Sequence, residues 1–118
     1  MISIRGAITV EKNTSDSILE NTSLLIKKME EENNLLRENV ISILFSATRD
    51  LDKVYPAKSA RDLGYVNSGL MCFNEMAVEG SLDRCIRVMI LYDSNAKQED
   101  INHIYLKGAK ILRPDLNM

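Results

Sequence analysis

An arginine in the middle of an apolar strand is costly to desolvate unless it meets a partner or a ligand. Arg87 is in that position, inside Cys85-Ile86-Arg87-Val88-Met89-Ile90-Leu91-Tyr92, where the even positions are apolar and Arg87 is the one charge. A second arginine, Arg5, belongs to a run in which Ile2, Ile4, Gly6, Ile8 and Val10 alternate with Ser3, Arg5, Ala7 and Thr9. This is the period-two pattern of a half-buried strand, and it turns Arg5 away from the isoleucine face. A guanidinium donates several directional hydrogen bonds and keeps its proton, so it suits an anion or an oxygen on which negative charge grows. Glu75, Cys72 and Tyr105 could add an acceptor, a thiol and a phenol. Taken singly, each has a plainer explanation. The arginines fit the solvated face of a strand, Glu75 a salt bridge, Cys72 a small buried hydrophobe, and Tyr105 the core or its rim.

Other chemistries have little to work with. His103 is the only histidine and Cys72 and Cys85 are the only cysteines, not in a C-x-x-C pair. A Zn site or a Ser-His-Asp triad would have to be assembled from almost nothing. Two cysteines are too few for a disulfide scaffold and read as reduced thiols. Fifteen basic against seventeen acidic residues give a formal charge of -2, so no overall cationic field draws in polynucleotide phosphate. The opening Met1-Ile2-Ser3-Ile4-Arg5 is unlike a signal peptide, and no segment approaches the ~18 apolar residues of a membrane span. We expect a soluble cytoplasmic protein with neither a nucleic-acid nor a membrane partner. At 118 residues with 45% hydrophobic positions, the chain suits a single domain, residues 1–118, with its own core.

The elements that must position these groups follow from pattern. After the strand at 2–10, Thr14 or Ser15 can cap a helix carrying Ile18, Leu19, Leu25, Ile26 and Met29 and ending near Glu32. Its polar end, Glu30 to Asn34, reads as a solvated helix end. Val40 to Thr48 reads as a buried strand. Pro56 can open a short helix over 57–63 that Gly64 closes, with Lys58 and Arg61 on one face. Residues 70–79 and 85–92 read as strands joined through Gly80 and Ser81. Asn95 and Gln98 form a capping-box pattern for a helix through Ile101, Ile104 and Tyr105, and a last strand is expected over 109–112. There is no repeat and no Gly-rich phosphate loop. The fold class expected is α/β (α+β), one mixed sheet with helices packed on one face. The sheet face left uncovered suggests a homo-oligomer.

In this order the residues resemble those of the AroH-class monofunctional chorismate mutases. The resemblance runs along nearly the whole chain: Ile4-Arg5-Gly6-Ala7-Ile8-Thr9-Val10-Glu11, Leu44-Phe45-Ser46-Ala47-Thr48-Arg49-Asp50-Leu51, Tyr55-Pro56-Ala57-Lys58, Cys72-Phe73-Asn74-Glu75-Met76, Cys85-Ile86-Arg87-Val88-Met89, His103-Ile104-Tyr105-Leu106 and Leu112-Arg113-Pro114-Asp115-Leu116. Tyr55 stands where the family commonly has phenylalanine, Asn74 replaces a longer amide, and the Leu63-Gly64-Tyr65 connection is a residue short. The chain runs only a few residues past Arg113, so closure of the pocket by a longer tail is not expected.

The resemblance implies a homotrimer around a central β-barrel-like core, with an active site at each subunit interface. It implies that Arg5, Cys72, Glu75, Arg87 and Tyr105 act on the substrate, that Tyr55, Ala57, Lys58 and Arg61 come from a neighbouring subunit, and that Leu112 and Arg113 lie near the pocket. The implied reaction is the rearrangement of chorismate to prephenate, in the biosynthesis of phenylalanine and tyrosine. That intramolecular step needs no nucleophile, metal or cofactor, only restraint of the reactive conformer and donors at the ether oxygen. Two other readings stay open on the residues: a trimeric deaminase of enamines or imines with an interfacial arginine, and a carboxylate sensor without turnover.

Overall fold

The computed structural model describes residues 1–114; Asp115 and Leu116 of the C-terminal motif lie outside the described residues. The alternation at the start of the chain forms β1 (Ile2–Thr9), in which Ile4 and Ile8 are fully buried and Arg5 is exposed. Helix α1 (Ser15–Asn33) follows, capped by Thr14, whose hydroxyl accepts the Ser17 N–H at 3.1 Å and so satisfies one orphan donor of the first turn. Its Ile18, Leu25, Ile26 and Met29 recur at helical spacing and are buried together. The remaining elements are β2 (Val40–Ala47), α2 (Ala57–Leu63), β3 (Gly69–Asn74), β4 (Cys85–Tyr92) and β5 (Ile104–Leu106). Pro56 precedes α2, and Gly64 ends it at φ 105°, a left-handed conformation that glycine alone adopts without strain.

The five strands form one mixed sheet in the order β3-β2-β4-β1-β5. The central pairs β1/β4 and β2/β4 are antiparallel, and the outer pairs β1/β5 and β2/β3 are parallel. The apolar stripe of α1 packs on one face, against Ile4 and Ile8 of β1, Phe45 of β2, and Ile86 and Ile90 of β4, with Ala57 and Ala60 of α2 in the same core. Gly6 marks the tightest point of that packing. A Cβ there would stand 2.8 Å from Met29 Sδ, 3.0 Å from the Ile104 carbonyl oxygen and 3.1 Å from Leu25 Cδ1. Among the described residues no helix is long and apolar enough to cross a membrane.

Beyond Tyr92 the structure departs from the sequence pattern. The helix expected through Ile101, Ile104 and Tyr105 is reduced to one 3₁₀ turn at Gln98–Asp100, and Tyr105 lies on strand β5. The strand expected over 109–112 falls inside a 3₁₀ helix, Lys107–Leu112. The cause is the outer edge of β1, whose backbone groups need partners. Gln98 serves there as a substitute rung instead of a cap: its Oε1 accepts the Ser3 N–H at 2.9 Å and its Nε2 donates to the Ser3 carbonyl at 2.6 Å. Ile104–Leu106 then pair with Gly6, Ala7 and Ile8, and the Gly108 N–H donates to Thr9 Oγ1 at 2.9 Å. Lys107, held at φ 53°, makes the turn and donates to Glu11 and Asn21.

Two further expectations are corrected. The strand expected over 70–79 stops at Asn74, because β2 itself ends at Ala47 and the Glu75 N–H takes its carbonyl at 2.9 Å as a final rung. The polar end of α1 is also more than a solvated tip. Glu30 accepts from Arg37 and from the buried Tyr65 hydroxyl, tying α1 to the end of α2, and this pushes the Tyr65 phenol well above its ordinary range through burial and the carboxylate beside it.

The second sheet face carries Arg5, Arg87, Leu44 and Met89, together with Met71 and Phe73, which are 57% and 50% exposed. At the β5 end the 3₁₀ helix folds over it, and Ala109 packs with Ala7, Cys85 and Tyr105. We expect Gly6→Ala to destabilise the fold by about 1–3 kcal/mol through overpacking, read as a lower urea midpoint with an unchanged m-value.

Candidate active site

Strand register determines which side chains meet on the second face. Arg87 is opposite Ala7 on one side and Ser46 on the other, Arg5 is opposite Met89, and Tyr105 is opposite Ala7. Arg5 and Arg87 are therefore diagonal cross-strand neighbours, a relation that sets residues about 7–8 Å apart. Arg5 and Tyr105 stand in the corresponding diagonal relation across β1 and β5. Ala7 is small, so the three larger groups can converge around it. They line a cavity of about 290 Å³ with Leu44, Ser46, Phe73 and Met89.

Glu75 joins this group from the end of β3. Its carboxylate forms an ion pair with Arg87 Nε, with the side chains 23% and 46% exposed. Glu75 Oε2, the oxygen in that pair, is itself buried. That oxygen is covered by the guanidinium, so the pair holds Arg87 in place at the edge of the cavity. Leu112 packs against the Ala7, Cys85, Tyr105 and Ala109 cluster, and Arg113 is near enough to His103 to act on it electrostatically.

Cys72 lies elsewhere. It has the opposite parity on β3, pairs with Phe45 and packs against the helical core. With Tyr55, Pro56 and Phe73 it lines a separate cavity of about 580 Å³. Burial pushes the Cys72 thiol up, only partly offset by the Ala57 backbone N–H and by Arg61. A thiol so held is a poor nucleophile at neutral pH. Tyr55 is 72% exposed, Ala57 is buried, and Lys58 is engaged with Asp62 at 2.9 Å. One chain thus carries two groups: Arg5, Glu75, Arg87, Tyr105, Leu112 and Arg113 on one side, and Tyr55, Ala57, Lys58, Arg61 and Cys72 on the other. Phe73 lines both cavities.

Sequence reasoning passed over the wall residues Leu44, Ser46, Phe73 and Met89, and the contact of His103, whose Nδ1 accepts the Arg5 backbone N–H at 3.0 Å. The parity of β2 and β4 relative to Arg87 could have found Ser46 and Met89. Nothing local marks His103 as a partner of a residue so distant in the chain.

The chain matches the family model for chorismate mutase type I over residues 1–116. It is 45% identical over 116 residues to the chorismate mutase AroH of Bacillus subtilis, covering 98% of this chain and 91% of that protein. It is 41% identical over 114 residues to the chorismate mutase AroH of Thermus thermophilus, covering 96% and 93% respectively. Among solved structures, a chorismate mutase from Clostridium thermocellum superposes with a TM-score of 0.90 at 48% identity, covering 92% of this chain and 97% of that one. A match of this length in both sequence and fold, around a cavity lined by two arginines and a tyrosine, leads to one conclusion: the chain belongs to the type I, AroH-class chorismate mutase family, and its activity is that of a chorismate mutase.

Proposed function

We propose that chorismate rearranges to prephenate in the Arg5, Arg87 and Tyr105 cavity beside Glu75, that a neighbouring protomer of a homotrimer completes this site, and that the reaction serves phenylalanine and tyrosine synthesis in the cytoplasm. The single domain, residues 1–118, would then form one full site only together with its neighbour. The observation that carries this reading is the convergence of Arg5, Arg87 and Tyr105 on one cavity, with Glu75 ion-paired to Arg87 at its edge. Chorismate is a dianion with a ring hydroxyl. Its rearrangement breaks the ether C–O bond as a new C–C bond forms, with negative charge growing on the ether oxygen.

Each group has a task. Arg87 donates to the ether oxygen and to one carboxylate, Arg5 holds a carboxylate with Tyr105 assisting, and Glu75 accepts the ring hydroxyl. Leu112 and Arg113 close the pocket from the 3₁₀ helix and the segment after it. Tyr55, Ala57, Lys58, Arg61 and Cys72 approach from the neighbouring protomer, with Cys72 packing and polarising. The half-exposed Met71 and Phe73, and the separation of the two residue groups within one chain, support an interface between copies. Catalysis arises from restraint of the compact conformer and from donors fixed before the charge appears. The family match sets the deaminase reading aside.

Loss of the chorismate diene absorbance, with prephenate identified as product, tests the reading directly; a folded trimer without turnover overturns it in favour of a sensor. Arg87→Ala should lower kcat by about 10²–10³ or more, as removal of one preorganised donor does. Arg87→Lys should recover little, since the charge remains and the fork is lost. Arg5→Ala should raise KM. Because no group gives or takes a proton in the step, kcat should be nearly flat around neutrality, and a sharp bell centred near pH 7 would contradict the mechanism. Cys72→Ser should lower turnover only modestly. Mixing inactive Arg87→Ala and Arg61→Ala protomers and letting them exchange should restore part of the activity if the site is shared between subunits.

A further inference from the structure

The outer edge of β1 is satisfied piecemeal: a glutamine side chain at Ser3, main-chain pairing at Gly6 to Ile8, a backbone N–H on the Thr9 hydroxyl, and a histidine at Arg5. The histidine differs from the rest because it titrates near physiological pH. Nδ1 of His103 accepts the Arg5 N–H at 3.0 Å, and an imidazole nitrogen accepts only while it carries no proton. The contact therefore requires neutral His103 with its proton on Nε2.

The loop that presents His103 is anchored independently. Asn33 at the end of α1 donates to the Asn102 carbonyl at 2.8 Å and accepts the Asn102 N–H at 2.9 Å. Partial burial holds its pKa below the ordinary histidine range, and two cations push the same way, Arg5 from β1 and Arg113 from beyond the 3₁₀ helix. On α1 the Glu32 carbonyl accepts from the Asn102 side-chain amide at 3.0 Å, while the Glu32 carboxylate is engaged with Lys28 at 3.2 Å. The two cations are the arginines assigned to the substrate side of the pocket, so a charge on His103 would appear beside the groups that receive the dianion.

We propose that His103 is a positioning residue: as a neutral acceptor of the Arg5 N–H it fixes the point at which the Arg5 guanidinium leaves the sheet, and its protonation releases that hold and sets the acid limit of activity. The inference rests on Arg5 holding a substrate carboxylate. Above the His103 pKa the acceptor is present and activity is level; as pH falls through it, the acceptor is lost and binding weakens.

The test compares wild type, His103→Asn and His103→Ala in kcat and KM from about pH 5 to 8, alongside ¹H NMR titration of the one imidazole in the chain. Asparagine offers Oδ1 as an acceptor in place of Nδ1 and does not titrate. Wild-type kcat/KM should decline on the acid side with the midpoint of the NMR titration, below about 6.5. His103→Ala should raise KM at neutral pH by about tenfold, the scale of one lost hydrogen bond, with kcat less affected. His103→Asn should recover most of that loss and abolish the acid decline. An acid decline that persists in His103→Asn overturns the proposal, as does a wild-type KM and pH profile in His103→Ala. If His103→Ala does not fold, the asparagine variant and the NMR midpoint still decide. An unchanged KM in Arg5→Ala would instead remove the assignment of Arg5, and the inference with it, while chorismate turnover itself stood.

Discussion

Strand β1 can carry the site only because two adjacent residues on opposite faces are small. On the helix side, Gly6 has no Cβ to strike Met29, Leu25 and the Ile104 carbonyl, so α1 and β5 both close on β1. On the other side, fully buried Ala7 lies between Arg87 and Tyr105 and leaves room for larger groups to converge. A larger residue at either position would force a shift in an interior packed near crystal density. The hydrophobic core and the polar pocket thus share one strand, and the register that buries Ile4 and Ile8 also aims Arg5.

The electrostatic design is local. The chain has a formal charge of -2, yet Arg5, Arg87 and Arg113 gather around one end of one sheet face. Glu75 sits against Arg87 and keeps that guanidinium from facing its like-charged neighbours alone. A half-exposed pair of this kind adds little to stability. Its use lies in preorganisation: a guanidinium held in place by a carboxylate and a packed strand need not reorganise when charge develops on a bound oxygen. Reactivity is restrained elsewhere, since burial pushes both thiols up, Cys72 and Cys85 alike.

The segment after Tyr92 shows how an unfilled sheet edge overrides local preference. Residues around Gln98 have a respectable helix signal, and 109–112 are apolar enough for a strand. Neither form satisfies the β1 edge, and a buried edge left without partners costs more than the propensity of a few residues. The outcome is a patchwork of side-chain rungs, a three-residue strand and a 3₁₀ helix, by which the segment bearing Tyr105, Leu112 and Arg113 reaches the pocket.

By itself the sequence determined the alternating faces of β1 and β4, the buried stripe of α1, the short helix between Pro56 and Gly64, and the family. These are periodic or punctuated signals, carried by residues close together in the chain, and the family motifs are strings read in order. Tertiary structure alone decided that Tyr105 stands on a strand, that Cys72 faces the core beside Tyr55 and not the Arg87 cavity, and that His103 meets the backbone of Arg5. Each depends on register or edge pairing between segments as much as 98 residues apart, and a one-residue change of register moves a side chain to the opposite face. Local composition carries no record of that choice.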